Sequence, residues 1–178
     1  MTRDFDDNEI PLAYLITFRC YGTWLHGDER GSMDRKRNKY GTARIQPNIR
    51  LKAAETALLK SQPLVLDAGQ RIVVERAVRE VCTHRTYILR AINVRTNHIH
   101  TVVTAACKPE PVLNAFKAYA TRELRKARLI SRSIRPWSRH GSTKYLWRER
   151  QVERANDYVL YGQGDELSSW LDSWLDDE

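Results

Sequence analysis

Apolar and polar residues alternate over residues 12–21. Leu12, Tyr14, Ile16, Phe18 and Cys20 fall on one side, and Ala13, Leu15, Thr17, Arg19 and Tyr21 on the other. A period of two predicts a strand whose two faces are used differently. From Asp67 the period changes. Asp67 and Gln70 have capping-box spacing. Val74, Ala77, Val78, Val81 and Cys82 then follow a helical stripe, which predicts an amphipathic helix over 68–84. Tyr87–Val94 reads as a second strand. The polar Arg95-Thr96-Asn97 predicts a tight hairpin into Asn97-His98-Ile99-His100-Thr101-Val102-Val103, a β-branched third strand. Pro109 and Pro111 suit the first turn of a second helix, with Leu113, Phe116, Ala120, Leu124 and Ala127 on one side. A last strand is expected over 144–152, and a terminal helix from Glu153 to Tyr161, interrupted by Gly162 and Gly164.

The intervening stretches carry weaker patterns. Residues 1–10 are polar and acidic and suggest a loose arm. Residues 27–50 form a long basic loop without a period, in which Arg35, Lys36, Arg37 and Lys39 are candidates for phosphate contact. Residues 51–66 suggest a short helix and an extended piece. Residues 165–178 form an acidic tail, amphipathic over 168–175. The order of main elements is β-α-β-β-α-β, which predicts an α+β, ferredoxin-like domain spanning residues 1–178. Its two main helices would cover one face of a four-stranded antiparallel sheet and leave the other face for chemistry. A terminal helix is added to that plan.

Composition narrows the partner. The chain has 178 residues and a net charge of +8, although its last fourteen residues hold six acids and no base. The rest is therefore more basic still, which favours a polyanion such as nucleic acid. No apolar run approaches the ~18 residues of a membrane span, and no secretory signal is evident. Cys20, Cys82 and Cys107 lack zinc-site spacing and read as reduced thiols, so a cytoplasmic location is expected.

His98 and His100 carry the candidate chemistry. Two residues apart on a strand, they project from one face and offer half of a divalent-metal site, the alternative being one exposed and one hydrogen-bonded histidine on an ordinary strand. Ile99 and Val103 then face the helices. A reactive group must come from elsewhere, and two tyrosines compete. Tyr119, with Glu123 at i+4, lies on the second helix, which packs behind the sheet. Tyr158, with Gln163 five residues on, lies on the terminal helix, which is free to cross the open face. Topology favours Tyr158, with Tyr161 a third candidate. Arg122, Arg125, Lys126, Arg132, Arg135 and Arg139, with Trp137 among them, are the candidate residues for contact with nucleic acid. Basic groups hold phosphates, and an aromatic ring stacks on a base.

His98-Ile99-His100 resembles the HUH motif, histidine–apolar–histidine. With Tyr145-Leu146-Trp147 downstream, and then Tyr158-Val159-Leu160-Tyr161-Gly162-Gln163, the chain looks like a single-tyrosine HUH transposase. That group comprises the very small insertion-sequence transposases and the REP-associated tyrosine transposases. Phe116-Lys117-Ala118-Tyr119 resembles the family's basic helix, and the resemblance runs from the Tyr14–Gly27 strand and turn to Gly164. It implies metal-dependent cleavage and rejoining of single-stranded DNA, with Mg²⁺ or Mn²⁺ held by His98, His100 and a third ligand, and with Tyr158 forming a 5′-phosphotyrosine link. Hairpin DNA with a flanking single strand is the implied partner, and a homodimer the implied assembly. The family's third ligand, Gln or Asn, stands four residues after the tyrosine. Here Gly162 occupies that position and Gln163 follows it, so Gln163 is the expected ligand and Glu123 the fallback. The rival readings are a non-catalytic or domesticated nucleic-acid-binding protein on the same fold, and a replication-initiator or relaxase-type nickase.

Overall fold

A computed structural model describes residues 10–29, 31 and 45–162. The amino-terminal arm, most of the basic loop (including Arg35, Lys36, Arg37 and Lys39), Gln163 and the acidic tail lie outside the described residues. The elements are β1 (Ala13–Cys20), α1 (Ile49–Ala57), α2 (Ala68–His84), β2 (Ile88–Val94), β3 (His98–Thr104), α3 (Pro109–Lys126), β4 (Trp137–Leu146) and α4 (Glu149–Tyr161). The sheet has the order β2-β3-β1-β4, with every neighbouring pair antiparallel. This is the α+β, ferredoxin-like arrangement that the element order predicts.

The alternation along β1 sorts its side chains between two cores. Tyr14, Ile16, Phe18 and Cys20 join Ile99 and Val103 beneath α2 and α3. There they meet Val74, Val78 and Val81 from α2, and Val112, Phe116 and Leu124 from α3. Ala13 and Leu15 point the other way. With Ala91, Val102 and Leu146 they form a second, smaller core under Val152, Ala155 and Val159 of α4. The face opposite the main helices is therefore partly roofed by the terminal helix. Burying each large aliphatic side chain is worth on the order of 1.5–3 kcal/mol, so the smaller core is enough to seat α4 on the sheet.

Local chemistry explains the element ends. At α2 the Gln70 amide donates to Asp67 Oδ1 (2.8 Å) and the Asp67 amide donates to Gln70 Oε1 (3.0 Å), closing the capping box. Pro109 stands in the first turn of α3, where a missing N–H costs nothing. The hairpin between β2 and β3 is closed by the Arg95 amide donating to the His98 carbonyl (2.9 Å). The stretch at 51–66 divides differently from expectation. Its helix starts earlier, capped by Asn48, whose Oδ1 accepts from the Leu51 amide (3.0 Å). An extended segment then buries Leu64 and Leu66.

The last strand is the main departure. It occupies Trp137–Leu146 instead of 144–152, and α4 begins at Glu149 instead of 153. β4 is an edge strand, so Arg139 and His140 face solvent and the apolar alternation is lost. Its ladder with β1 ends at the Ala13–Leu146 pair. The Trp147 and Arg148 amides then both donate to Gln151 Oε1, which starts the helix. Among the described residues, no helix is long and apolar enough to cross a membrane.

Gly141 marks the tightest approach of β4 to its neighbours. A Cβ there would stand 2.6 Å from the Thr17 carbonyl oxygen and 3.0 Å from Leu113 Cδ2. Gly141→Val is expected to lower unfolding stability by about 1–3 kcal/mol, the usual cost of forcing atoms into a filled site. Urea denaturation followed by circular dichroism measures it, and an unchanged midpoint would show that β4 can shift away from β1.

Candidate active site

The site is built on the two central strands. In the β1–β3 register Thr17 is the partner of His100 and Arg19 the partner of His98. Directly opposed residues project from the same face, so each imidazole has a polar β1 side chain beside it. His98 and His100 have ring centroids 4.6 Å apart, with the planes at 78°.

Each ring is fixed through its Nδ1. His98 Nδ1 lies 2.6 Å from Asn97 Oδ1. An amide oxygen only accepts, so this nitrogen carries a proton, and in the neutral ring the lone pair is on Nε2. His100 Nδ1 lies 2.7 Å from Thr17 Oγ1, a hydroxyl able to donate or accept. Hydrogen bonding at one ring nitrogen is how ligating histidines are oriented for a metal at the other.

His100 is buried, at 6% exposure. Burial first, and then the charges of His98, Arg19 and Arg95, push its pKa down from 6.5 to about 3. The imidazole therefore stays neutral at physiological pH, which is the state a metal ligand needs.

The terminal helix brings a phenol to this pair. The Tyr158 ring centroid is 5.3 Å from that of His100, with the rings at 75°. Val152, Ala155 and Val159 bury the sheet-facing side of α4, and Tyr158 packs at its margin. Asn93 is the β2 partner of His100, and its Nδ2 donates to the Val159 carbonyl (2.9 Å). That bond ties the turn bearing Tyr158 to the strand beside the histidine. Thr17, Asn93 and Asn97 were not identified as site residues from sequence, because their role depends on which strand lies opposite which.

The other candidates lie elsewhere. Tyr119 packs against the core between α2 and α3, with the Arg122 guanidinium 4.3 Å above its ring. Tyr161 is 82% exposed at the end of α4. Glu123 sits on α3, across the sheet from the histidines. It is ion-paired with Arg122 (3.0 Å) and Lys126 (3.6 Å), and the Arg122 hydrogen bond holds its carboxyl below the usual range. The fallback metal ligand is thus not brought to the site. Gly162 caps α4, and a Cβ there would lie 3.0 Å from the Tyr158 carbonyl oxygen. Among the described residues, no three His, Cys, Asp or Glu side chains gather around a common point. The described donor set is therefore the two imidazoles.

The basic residues divide between locations. Arg122 pairs with Glu80 and Glu123, Lys126 pairs with Glu123, and Arg125 donates to the Arg132 and Ile134 carbonyls, all on the helix layer behind the sheet. Arg132, Arg135 and Arg139 are exposed on the α3–β4 connection and the edge strand. Trp137 departs from the expected stacking role. Its ring is edge-on to Phe18 at 5.2 Å, and its N–H is shared between the Lys117 carbonyl and Thr121 Oγ1. It is a packing residue between β4 and α3.

The depressed His100 pKa has a consequence for stability. Between about pH 6.5 and 3 the unfolded chain holds a proton on this residue that the folded chain does not. Folding stability of the metal-free protein should therefore fall as pH drops below 6.5, with this group's share approaching ~1.4 kcal/mol per pH unit. Urea midpoints for wild type and His100→Gln from pH 7 to 4 test this. The wild-type slope should be the steeper, and equal slopes would mean that the ring protonates in place.

No family model matches this sequence, and no curated protein matches it. Solved structures with a similar backbone path include these two. One is a REP-associated tyrosine transposase bound to a REP hairpin, 12% identical, with a TM-score of 0.48, covering 89% of this chain and 70% of that one. The other is a protein of Deinococcus radiodurans R1 assigned to the transposases, 11% identical, with a TM-score of 0.44, covering 89% of this chain and 95% of that one.

Proposed function

We propose that this protein cuts and rejoins single-stranded DNA by covalent catalysis, as a transposase does. One observation carries the reading. Two imidazoles with their Nδ1 atoms engaged, and a phenol from a helix some sixty residues later, converge on the same sheet face. Packing alone has no need for two hydrogen-bonded histidines beside a tyrosine.

The residues fit a divalent cation, Mg²⁺ or Mn²⁺. A neutral imidazole presents one ring-nitrogen lone pair to a metal; His98 has its Nδ1 engaged by Asn97, and His100 is held neutral by its burial. His98 and His100 would hold the ion, with Gln163 the proposed third donor because it directly follows the Gly162 cap. Bound there, the cation supplies Lewis-acid polarisation of the scissile phosphate and offsets charge that develops on its oxygens.

Tyr158 is the proposed nucleophile. Its phenolic oxygen bonds to phosphorus, the bond from phosphorus to the 3′ oxygen breaks, and the phenol's proton is given up as the departing 3′ oxygen gains one. The DNA stays linked to the protein through a 5′-phosphotyrosine. A phosphodiester has been exchanged for another, so little free energy is lost and a 3′-hydroxyl can reverse the step. Strand transfer needs that reversibility, and hydrolysis does not provide it. Asn93 positions the phenol through α4, while Thr17 and Asn97 position the imidazoles.

The exposed Arg132, Arg135 and Arg139 are proposed to hold the backbone of a hairpin or its flanking strand. Arg122, Arg125 and Lys126, on the helix layer, add to the general field. A homodimer in the cytoplasm belongs to the same proposal.

The test is incubation with labelled hairpin DNA bearing a single-stranded flank, with Mn²⁺, followed by a denaturing gel. Wild type is expected to give a protein–DNA adduct. Tyr158→Phe should give none, Tyr119→Phe a normal amount, and His100→Ala at least a hundredfold less, in line with the loss of a main electrostatic contributor. An adduct that survives Tyr158→Phe and disappears in Tyr119→Phe would overturn the assignment.

A further inference from the structure

The turn after β1 plays no part in the reaction just described, yet it is built with care. The Tyr21 amide donates to the Pro136 carbonyl (2.9 Å) and the Tyr21 hydroxyl accepts from the Lys60 amide (2.9 Å). Gly22 has φ +72°, which suits glycine. The Thr23 hydroxyl lies 2.9 Å from the Cys20 carbonyl and 3.3 Å from the Asn97 carbonyl. The Trp24 N–H donates to the Gly31 carbonyl (2.7 Å). The turn is thus fastened to Asn97, the residue whose side chain orients His98.

What this turn holds is Arg19. The guanidinium carbon lies 3.4 Å from the centre of the Trp24 ring, close enough for flat stacking. Arg19 is also the cross-strand partner of His98. The next pair on the same face, Thr17 and His100, is joined by a 2.7 Å contact. Stacking occupies a face of the guanidinium and fixes its plane. The in-plane N–H fork is the part that a phosphate takes, through two charge-assisted hydrogen bonds.

We propose that Arg19, held flat by Trp24, is a phosphate-binding residue for the DNA strand that crosses the two histidines. It takes the backbone phosphate next to the one that Tyr158 attacks. The offset follows from the register. Tyr158 stands at His100, and Arg19 stands opposite His98, two residues along the strand, or about 6.6 Å. The backbone of Arg19 is therefore a step along the β3 direction from the histidine beside the phenol, and the role proposed for its guanidinium is to position the strand instead of reacting with it. This inference rests on the strand-transfer reading above and extends it to a residue outside the histidine–tyrosine set.

The experiment is a methylphosphonate scan. Each linkage near the cleavage position is neutralised in turn, and binding to the full chain carrying Tyr158→Phe is read by fluorescence anisotropy. A single linkage next to the scissile one should weaken binding about tenfold when neutralised, the worth of a charged hydrogen-bonded contact. In Tyr158→Phe/Arg19→Gln that linkage should lose its effect, and Arg19→Lys should keep part of it. In the otherwise wild-type chain, Arg19→Gln should raise the DNA concentration for half-maximal adduct formation about tenfold, with a smaller change in the saturated rate. Circular dichroism melts confirm that each variant is folded.

The outcomes separate the two ideas. Normal adduct formation with identical scans for Arg and Gln at position 19 would overturn the phosphate site and leave the nucleophile assignment standing. An Arg19-dependent linkage with no adduct from wild type would do the reverse. A chain that neither binds nor joins DNA would overturn both.

Discussion

The antiparallel pairing of β1 with β3 is the constraint on which the site depends. It sets Thr17 against His100 and Arg19 against His98. A slip of one residue would turn every side chain on the strand to its other face. Ile16 and Phe18 would then leave the main core and Thr17 would enter it. The register is therefore held by the burial of Tyr14, Ile16, Phe18, Ile99 and Val103, far more than by the polar contacts it creates. The hydrophobic core locates the imidazoles, and the Thr17 and Asn97 hydrogen bonds then choose their rotation.

The sheet works because its two faces are sealed to different degrees. Beneath α2 and α3 the core is broad and apolar. On the opposite face, among the described residues, only part of the surface is covered, by Val152, Ala155 and Val159 lying over Leu15, Val102 and Leu146. That partial cover has two effects on His100. It removes the ring from water, which keeps it neutral, and it brings the Tyr158 ring alongside. A wholly open face would leave the imidazole to protonate near its ordinary pKa, and a wholly covered one would exclude a polymeric substrate. Asn93 matters here because apolar contact alone fixes the rotation of a short helix only loosely. A hydrogen bond from β2 to the Val159 carbonyl adds a directional tie one residue from the phenol.

How far the sequence could be read varies by element. α2 was legible to its ends, because the capping box and the apolar stripe give the same answer for Ala68–His84. β1 and β3 were legible because both are central and each buries residues on alternate sides. β4 was not, since an edge strand carrying Arg139, His140, Ser142 and Lys144 satisfies no burial pattern and only its pairing with β1 makes it a strand. The histidine pair was visible from spacing alone. Its supports were not, because Thr17 and Asn93 reach His100 from strands about eighty residues before it and seven before it, and only the register joins them. The setting of Trp137 is hidden for a related reason. An aromatic within a basic stretch suggests a base-stacking platform until its N–H is found bonded to α3.

Charge also needed the fold to be interpreted. A net +8 describes the chain but not where a polyanion would lie. The densest run of basic residues in α3 is largely engaged with Glu80 and Glu123 on the layer away from the histidines. Such exposed pairs add little stability, but they lower the local field that a phosphate would feel. Arg19 shows the contrary case. A lone arginine in an apolar strand attracts no notice in a charge count, yet it lies opposite His98 and is held rigid by an indole. Fixing a long side chain before the ligand arrives lowers the entropy lost on binding, so a single immobilised guanidinium can matter more to strand placement than several mobile ones. On the reading proposed for Arg19, position and rigidity, more than the number of positive charges, decide which basic residues on this face would serve the site.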